Sequence, residues 1–112
     1  MIKGTIKLGD REVNVLFCYA TELNFFTLAK KNIDKFDCVA NPMEIVWLIL
    51  SATVAYDEYA GIDQNINDKN IVFEAKQNQI LDALTTITEM RKKWYSENIA
   101  EEAIQEDEKK NN

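Results

Sequence analysis

Residues 2 to 17 can be written as two β-strands joined by a two-residue loop, and the apolar positions of both strands agree on a single register. With Gly9 at the first central position and Asp10 at the second, the loop suits a type II′ turn, which sets Ile6 opposite Val13 and Ile2 opposite Phe17. One face then carries Ile2, Gly4, Ile6 and Leu8 against Val13, Val15 and Phe17. The other carries Lys3, Thr5 and Lys7 against Glu12, Asn14 and Leu16, with Lys7 meeting Glu12. Two strands alone are marginal in water. The apolar face must therefore be covered by the remainder of the chain, and both outer strand edges are expected to stay open to another chain.

Beyond Phe17 the chain reads as helix. Thr21 is the expected N-cap of a first helix carrying Leu23, Phe25, Phe26, Leu28 and Ala29 and ending near Lys30 and Lys31. Residues 32 to 40 mix Ile33 and Phe36 with Asp34 and Asp37, the pattern of a loop pinned by apolar side chains, with room for a short helical turn. Asn41 and Pro42 suit the N-cap and first position of a second helix that runs to Ala60 with Gly61 as its C-cap. Its apolar residues occupy nearly every face, as expected for a helix surrounded by other elements.

A polar loop spans residues 63 to 70, and helical spacing resumes through Val72, Ala75, Ile80, Leu84, Ile87, Met90 and Trp94. The polar run Lys76-Gln77-Asn78-Gln79 can hold a bend, but without Gly or Pro the spacing favours one continuous helix over two. From Glu97 onward six acidic residues stand against two lysines, so residues 98 to 112 are expected to form an acidic, frayed or disordered tail on a single domain of residues 1 to 97. The fold class expected is α+β: an N-terminal two-stranded antiparallel hairpin packed on a bundle of three to four helices, mainly helical.

At 112 residues the chain is long enough for one real core. A formal charge of −6 opposes attraction to nucleic acid or to an anionic membrane surface. The longest apolar stretch, Met43 to Tyr56, is interrupted by Glu44, Ser51 and Thr53 and is too short to cross a bilayer. The opening Met1-Ile2-Lys3-Gly4-Thr5 lacks the apolar core of a secretory signal, which points to the cytoplasm. Cys18 and Cys38, with no third cysteine and no histidine in the chain, match no zinc or redox spacing and read as reduced core thiols.

The absence of histidine removes the commonest general base and the triads that depend on it. Gly4, Gly9 and Gly61 are the only glycines, so no phosphate-binding glycine loop can be written. Neighbouring carboxylates such as Asp57 with Glu58, or Glu101 with Glu102, point apart on a helix and do not converge on a bond. No catalytic residue, cofactor site or metal site is assigned, and the chain reads as a non-enzyme. One metal reading stays open: Asp63, Asn65, Asn67 and Glu74 match positions 1, 3, 5 and 12 of a calcium loop, although Asp68 replaces the glycine of position 6 and Asn70 the apolar residue of position 8. Asn and Asp also concentrate in such connections as turn formers and caps.

Phe25, Phe26, Trp47, Tyr56, Tyr59, Trp94 and Tyr95 are more aromatic surface than a small bundle easily covers. Phe25 with Phe26, and Trp94 with Tyr95, cannot both point inward from one helix. Some of this surface is therefore expected to serve an interface.

A short hairpin of the type Ile6-Lys7-Leu8-Gly9-Asp10-Arg11-Glu12-Val13, a capped Thr21-Glu22-Leu23 helix, an apolar helix opened by Asn41-Pro42 and an acidic helical end together resemble the tail assembly chaperones of long-tailed, siphophage-type bacteriophages. The likeness is one of layout over residues 1 to 97 and carries over no binding residue. It implies a cytoplasmic phage or prophage protein that binds the tape measure protein and helps recruit tail tube protein without entering the mature virion. It also leaves open a frameshifted longer form and homo-oligomer formation. Two other readings stand beside it: a small protein-binding module of antitoxin or antirepressor type, and a calcium-dependent switch built on residues 63 to 74.

Overall fold

The computed structural model describes the backbone of residues 1 to 110 and the side chains of residues 1 to 98. Strands β1 (Ile2–Leu8) and β2 (Arg11–Phe17) pair antiparallel in the expected register, Ile2 with Phe17, Ile6 with Val13 and Lys7 with Glu12. Gly9 has φ of 64°, and Asp10 is not among the positive-φ residues, which distinguishes a II′ turn from its I′ relative. Ile6, Leu8, Val13, Val15 and Phe17 are buried, while Lys3, Thr5, Lys7 and Glu12 are exposed. Leu16 departs from the pattern. It is buried although its register places it on the polar face, and its carbonyl accepts the Thr21 hydroxyl at 2.6 Å.

That hydroxyl explains where the first helix begins. Helix α1 (Tyr19–Ala29) starts two residues before the expected cap, with Cys18 at its N-cap position. Thr21 instead lies inside the first turn, fully buried, and accepts the Cys18 amide at 3.2 Å. One side chain thereby satisfies a free helix amide and the end of β2. At the other end Lys30 is itself the C-cap, in the left-handed region with φ of 62°, and donates its amide to the Phe26 carbonyl at 2.8 Å.

The connection to the next helix contains one short 3₁₀ turn, Ile33–Lys35, that buries Ile33 and lets Phe36 pack on Phe25 at a ring separation of 6.0 Å. Helix α2 (Met43–Ala60) comes next and starts one residue later than expected, with Pro42 at its N-cap position, while the Asn41 side chain just ahead accepts the Met43 amide at 3.1 Å. Gly61 ends it with φ of 68°. Glu44 in its first turn is buried, a surprise for a carboxylate, and is held by Lys31 at 2.7 Å and by the Asp37 amide at 2.9 Å.

The chain from 70 onward is two helical pieces, a correction to the continuity that the spacing favoured. A single π turn, Asn70–Glu74, ends at Ala75, whose ψ of 140° is extended, and helix α3 (Gln77–Lys110) begins after Lys76. The cause is Gln79. Its Oε1 accepts the amides of Lys76 and Gly9, each at 2.9 Å, and its Nε2 donates to the Gly9 carbonyl at 2.9 Å, so one amide caps α3 and clamps the hairpin turn. The acidic tail expected at 98 to 112 falls, from residue 99, outside the described side chains.

The core forms where the hairpin's apolar face meets Phe25 of α1, Val46, Leu48, Ile49 and Ala52 of α2, Ile71, and Ala83, Ile87 and Met90 of α3. Each large side chain buried there contributes about 2 kcal/mol. Cys18 and Cys38 are free thiols, as expected, but both are half-buried and neither belongs to the core. Gly4 leaves room for the Met90 side chain against β1, because a Cβ there would stand 2.7 Å from the Met90 sulfur. Among the described residues, no helix is long and apolar enough to cross a membrane.

This packing is open to two stability tests. Val13→Asp places a carboxylate without a partner in the core, a cost comparable to the whole stability of such a domain, and circular dichroism is expected to show an unfolded chain at 25 °C. Gln79→Ala removes the clamp at Gly9 and the α3 cap, a loss of about 1–3 kcal/mol. A melting temperature lowered by about 5–15 °C in calorimetry is the expected result, whereas unchanged melting would show that the clamp adds nothing.

Candidate partner-binding surfaces

The turn at Gly9 makes Leu8 and Arg11 a hydrogen-bonded pair, so the amides and carbonyls of Lys3, Thr5 and Lys7 face outward from β1, and those of Glu12, Asn14 and Leu16 face outward from β2. The two edges have different fates. On β2, Gln64 acts as a surrogate strand: its Oε1 accepts the Asn14 amide at 2.8 Å and its Nε2 donates to the Asn14 carbonyl at 2.9 Å. Asp57 fixes that amide group by accepting Gln64 Nε2 at 2.8 Å and the Gln64 backbone amide at 3.1 Å. Arg11 donates to the carbonyls of Gln64 and Asn65, binding the same loop to the start of β2. With Thr21 on the Leu16 carbonyl, the β2 edge is largely closed, contrary to the expectation that both edges stay open.

On β1 the outward amides and carbonyls of Lys3, Thr5 and Lys7 have no hydrogen-bond partner among the described residues. A groove of about 360 Å³ runs beside this edge, walled on one side by Thr5, Ile6, Lys7 and Glu12, which stands opposite Lys7, and on the other by Asn78, Asp82 and Thr86 of α3.

The second surface is apolar. Tyr19, Leu23 and Phe26 share one stripe of α1 at helical spacing and are 62%, 51% and 50% exposed, although α1 buries Phe25 completely on its other side. They border a groove of about 450 Å³ together with Glu22, Ile33, Asp34 and Tyr95. The far wall is held by Tyr95, whose hydroxyl donates to Glu22 at 2.5 Å and whose ring packs edge-on against Trp94 at 5.2 Å. Arg91 lies over the outer face of the Tyr95 ring, 4.9 Å from its centre. The Glu22 hydrogen bond, with partial burial, raises the Tyr95 pKa above the ordinary 10.0, and Arg91 opposes this.

The aromatic residues divide as their positions on the helices require. Phe25 is fully buried while Phe26 is exposed, and Trp94 packs against Phe17 at 5.7 Å while Tyr95 faces the groove. Trp47 and Tyr56 are half-buried, and Tyr59 is exposed with the Lys3 ammonium 5.1 Å from its ring centre.

The candidate calcium ligands do not converge. Asp63 accepts the Asn65 amide, Asn67 and Asn70 bond each other's backbone amides, and Glu74 accepts the Asn70 side chain at 3.0 Å, so these groups serve as turn formers and caps. No cluster of three or more acidic, cysteine or histidine side chains suited to a metal ion occurs among the described residues.

Comparison with protein families, with curated proteins and with solved structures gave no match.

Gln64 and Gln79 are the residues that sequence reasoning missed. Each lies in a polar run where periodicity assigns no role, and only the fold shows that a backbone edge stands opposite.

Tyr95→Phe removes the bridge between α1 and α3, and a melting temperature a few degrees lower at pH 7 is expected. The raised pKa makes the bridge fully effective below pH 10 and weaker as the pH climbs through the folded-state value. The gap between the two proteins should therefore close in alkali. A gap that stays constant to high pH would assign the effect to something other than the hydroxyl proton.

Proposed function

We propose that this chain is a non-catalytic, cytoplasmic protein-binding protein that works as a phage or prophage tail assembly chaperone, holding the tape measure protein and helping to recruit tail tube subunits without joining the finished virion. The observation that carries the reading is the apolar stripe of Tyr19, Leu23 and Phe26, each at least half exposed beside a groove that already has an aromatic wall. Such a surface fits the apolar face of a helix laid alongside α1, with anchors one turn apart entering between Phe26 and Tyr95.

The net charge of −6 supports the same reading, because it keeps a carrier of sticky segments soluble and away from nucleic acid. So does the layout of hairpin, capped helix, Asn41-Pro42 helix and acidic end noted in the sequence.

The test is co-expression with a phage tape measure protein, read as the fraction of the latter that stays soluble. The wild-type chain is expected to keep it in solution and to co-purify with it. Leu23→Asp with Phe26→Asp, both at exposed positions, should preserve melting but weaken the complex by at least about thirtyfold, the scale of losing a central anchor. An insoluble tape measure protein in the presence of the folded wild-type chain would refute the proposal.

A further inference from the structure

We propose that the junction between the π turn and α3 is a two-state latch: Gln79 keeps the chain broken at Ala75 by gripping the hairpin turn, and when that grip is released residues 70 to 76 wind onto α3 as one helix. The inference stands apart from the chaperone reading and uses none of the surface assigned to it.

Register along the helix provides the first argument. Counted back in steps of seven, close to two helical turns, Trp94, Ile87 and Ile80, all packed on the core, lead to Phe73. The exposed Lys92, Thr85 and Asn78 lead in the same way to Ile71. A continuous helix would therefore set Phe73 on the side that faces the hairpin and Ile71 on the side that faces water. The structure shows the reverse, with Ile71 fully buried and Phe73 80% exposed. A pattern that suits one packing while the fold adopts another sets local preference against tertiary contacts, the condition under which a segment has two arrangements close in free energy.

Backbone hydrogen bonds provide the second. The break leaves the amides of Gln77 and Asn78 without a partner among the described residues. No Gly or Pro enforces it, and Ala75, Lys76 and Gln77 are good helix formers. Winding would give those two amides the carbonyls of Phe73 and Glu74 as acceptors and lengthen α3 by about 10 Å. The start of the longer helix is already in place, since Asn67 and Asn70 accept each other's backbone amides as in a capping box.

One side chain opposes winding. As the third residue of α3, Gln79 accepts the Lys76 amide, and the same carboxamide holds the amide and carbonyl of Gly9. The hairpin turn lies close against the end of the π turn, where a Cβ on Gly9 would stand 3.3 Å from the Glu74 carbonyl oxygen. The turn thus governs the latch. While Gly9 is held the break persists, and a turn drawn away from Gln79 frees α3 to lengthen and takes Ile71 out of the core.

The latch is tested by releasing it and by locking it. In Gln79→Ala the amides of Gln77 and Asn78 are expected to exchange with solvent at least about tenfold more slowly than in the wild type, with a stronger helix signal in circular dichroism and Ile71 methyl resonances moved to solvent-exposed positions. Gln77 is exposed and is the first residue of α3, where proline is favoured, but proline has no amide for the Phe73 carbonyl and cannot sit inside the wound helix. Gln77→Pro therefore locks the broken form. Added to Gln79→Ala, it is expected to restore fast exchange at Asn78. On its own it is expected to keep the wild-type fold and to slow exchange of the Gly9 amide, which meets water when the latch opens, a readout that does not need Gln79→Ala to fold. Fast exchange at Gln77 and Asn78 in folded Gln79→Ala, or Gly9 exchange unchanged by Gln77→Pro, would each overturn the proposal and leave Gln79 a plain cap.

Discussion

A ribbon of two strands has one apolar face and two unsatisfied edges, and neither survives in water without help from the rest of the chain. The domain is organised around supplying that help. The helices cover the face, burying Ile6, Leu8, Val13, Val15 and Phe17 against α2 and α3. Non-directional burial of this kind holds the layers together but does not fix where a helix stops along a strand. Position is set by a few directional bonds: Gln79 on the turn, Gln64 on Asn14 and Thr21 on Leu16. A carboxamide is well suited to the task, since it offers a donor and an acceptor at the spacing of the backbone groups it replaces.

The hairpin was legible to the residue because its signals are local and agree with one another. A period of two, a Gly-Asp turn and cross-strand pairs leave a single register, and the structure adopts it. The second helix was equally clear between Asn41-Pro42 and Gly61. The first was misplaced at its start, since Thr21 is a good cap by type, yet its hydroxyl reaches backward to the end of β2 as well as to Cys18. Long-range partners of that kind leave no trace in periodicity. The break before α3 was missed for the same reason, because the residue that stabilises it, Gln79, bonds to Gly9 across most of the chain.

The surfaces were legible in kind and not in place. Surplus aromatics and adjacent pairs such as Phe25-Phe26 announced that something apolar would face solvent, but which strip and beside what wall depended on how α1 lies on α2 and α3. The open edge was anticipated for both strands. Closure of one depended on the Gln64 loop, whose path is set by Asp57 and by Arg11. The calcium-like spacing shows the converse, a one-dimensional match whose members are committed locally, each Asx side chain to an amide two or three residues away.

Gly4 has a role beyond permitting close packing. The thioether of Met90 lies 2.7 Å from where a Cβ would stand, so a side chain at this strand position would first have to turn the flexible end of Met90 aside. The distance between the same two elements is the width of the cleft lined by Thr5 and Asp82. A methyl group introduced at position 4 would be met by the sulfur and terminal methyl of Met90, and by no backbone atom of the helix. The seam between ribbon and long helix therefore closes on a pliable thioether, which lets small changes in the strand be taken up without displacing either element.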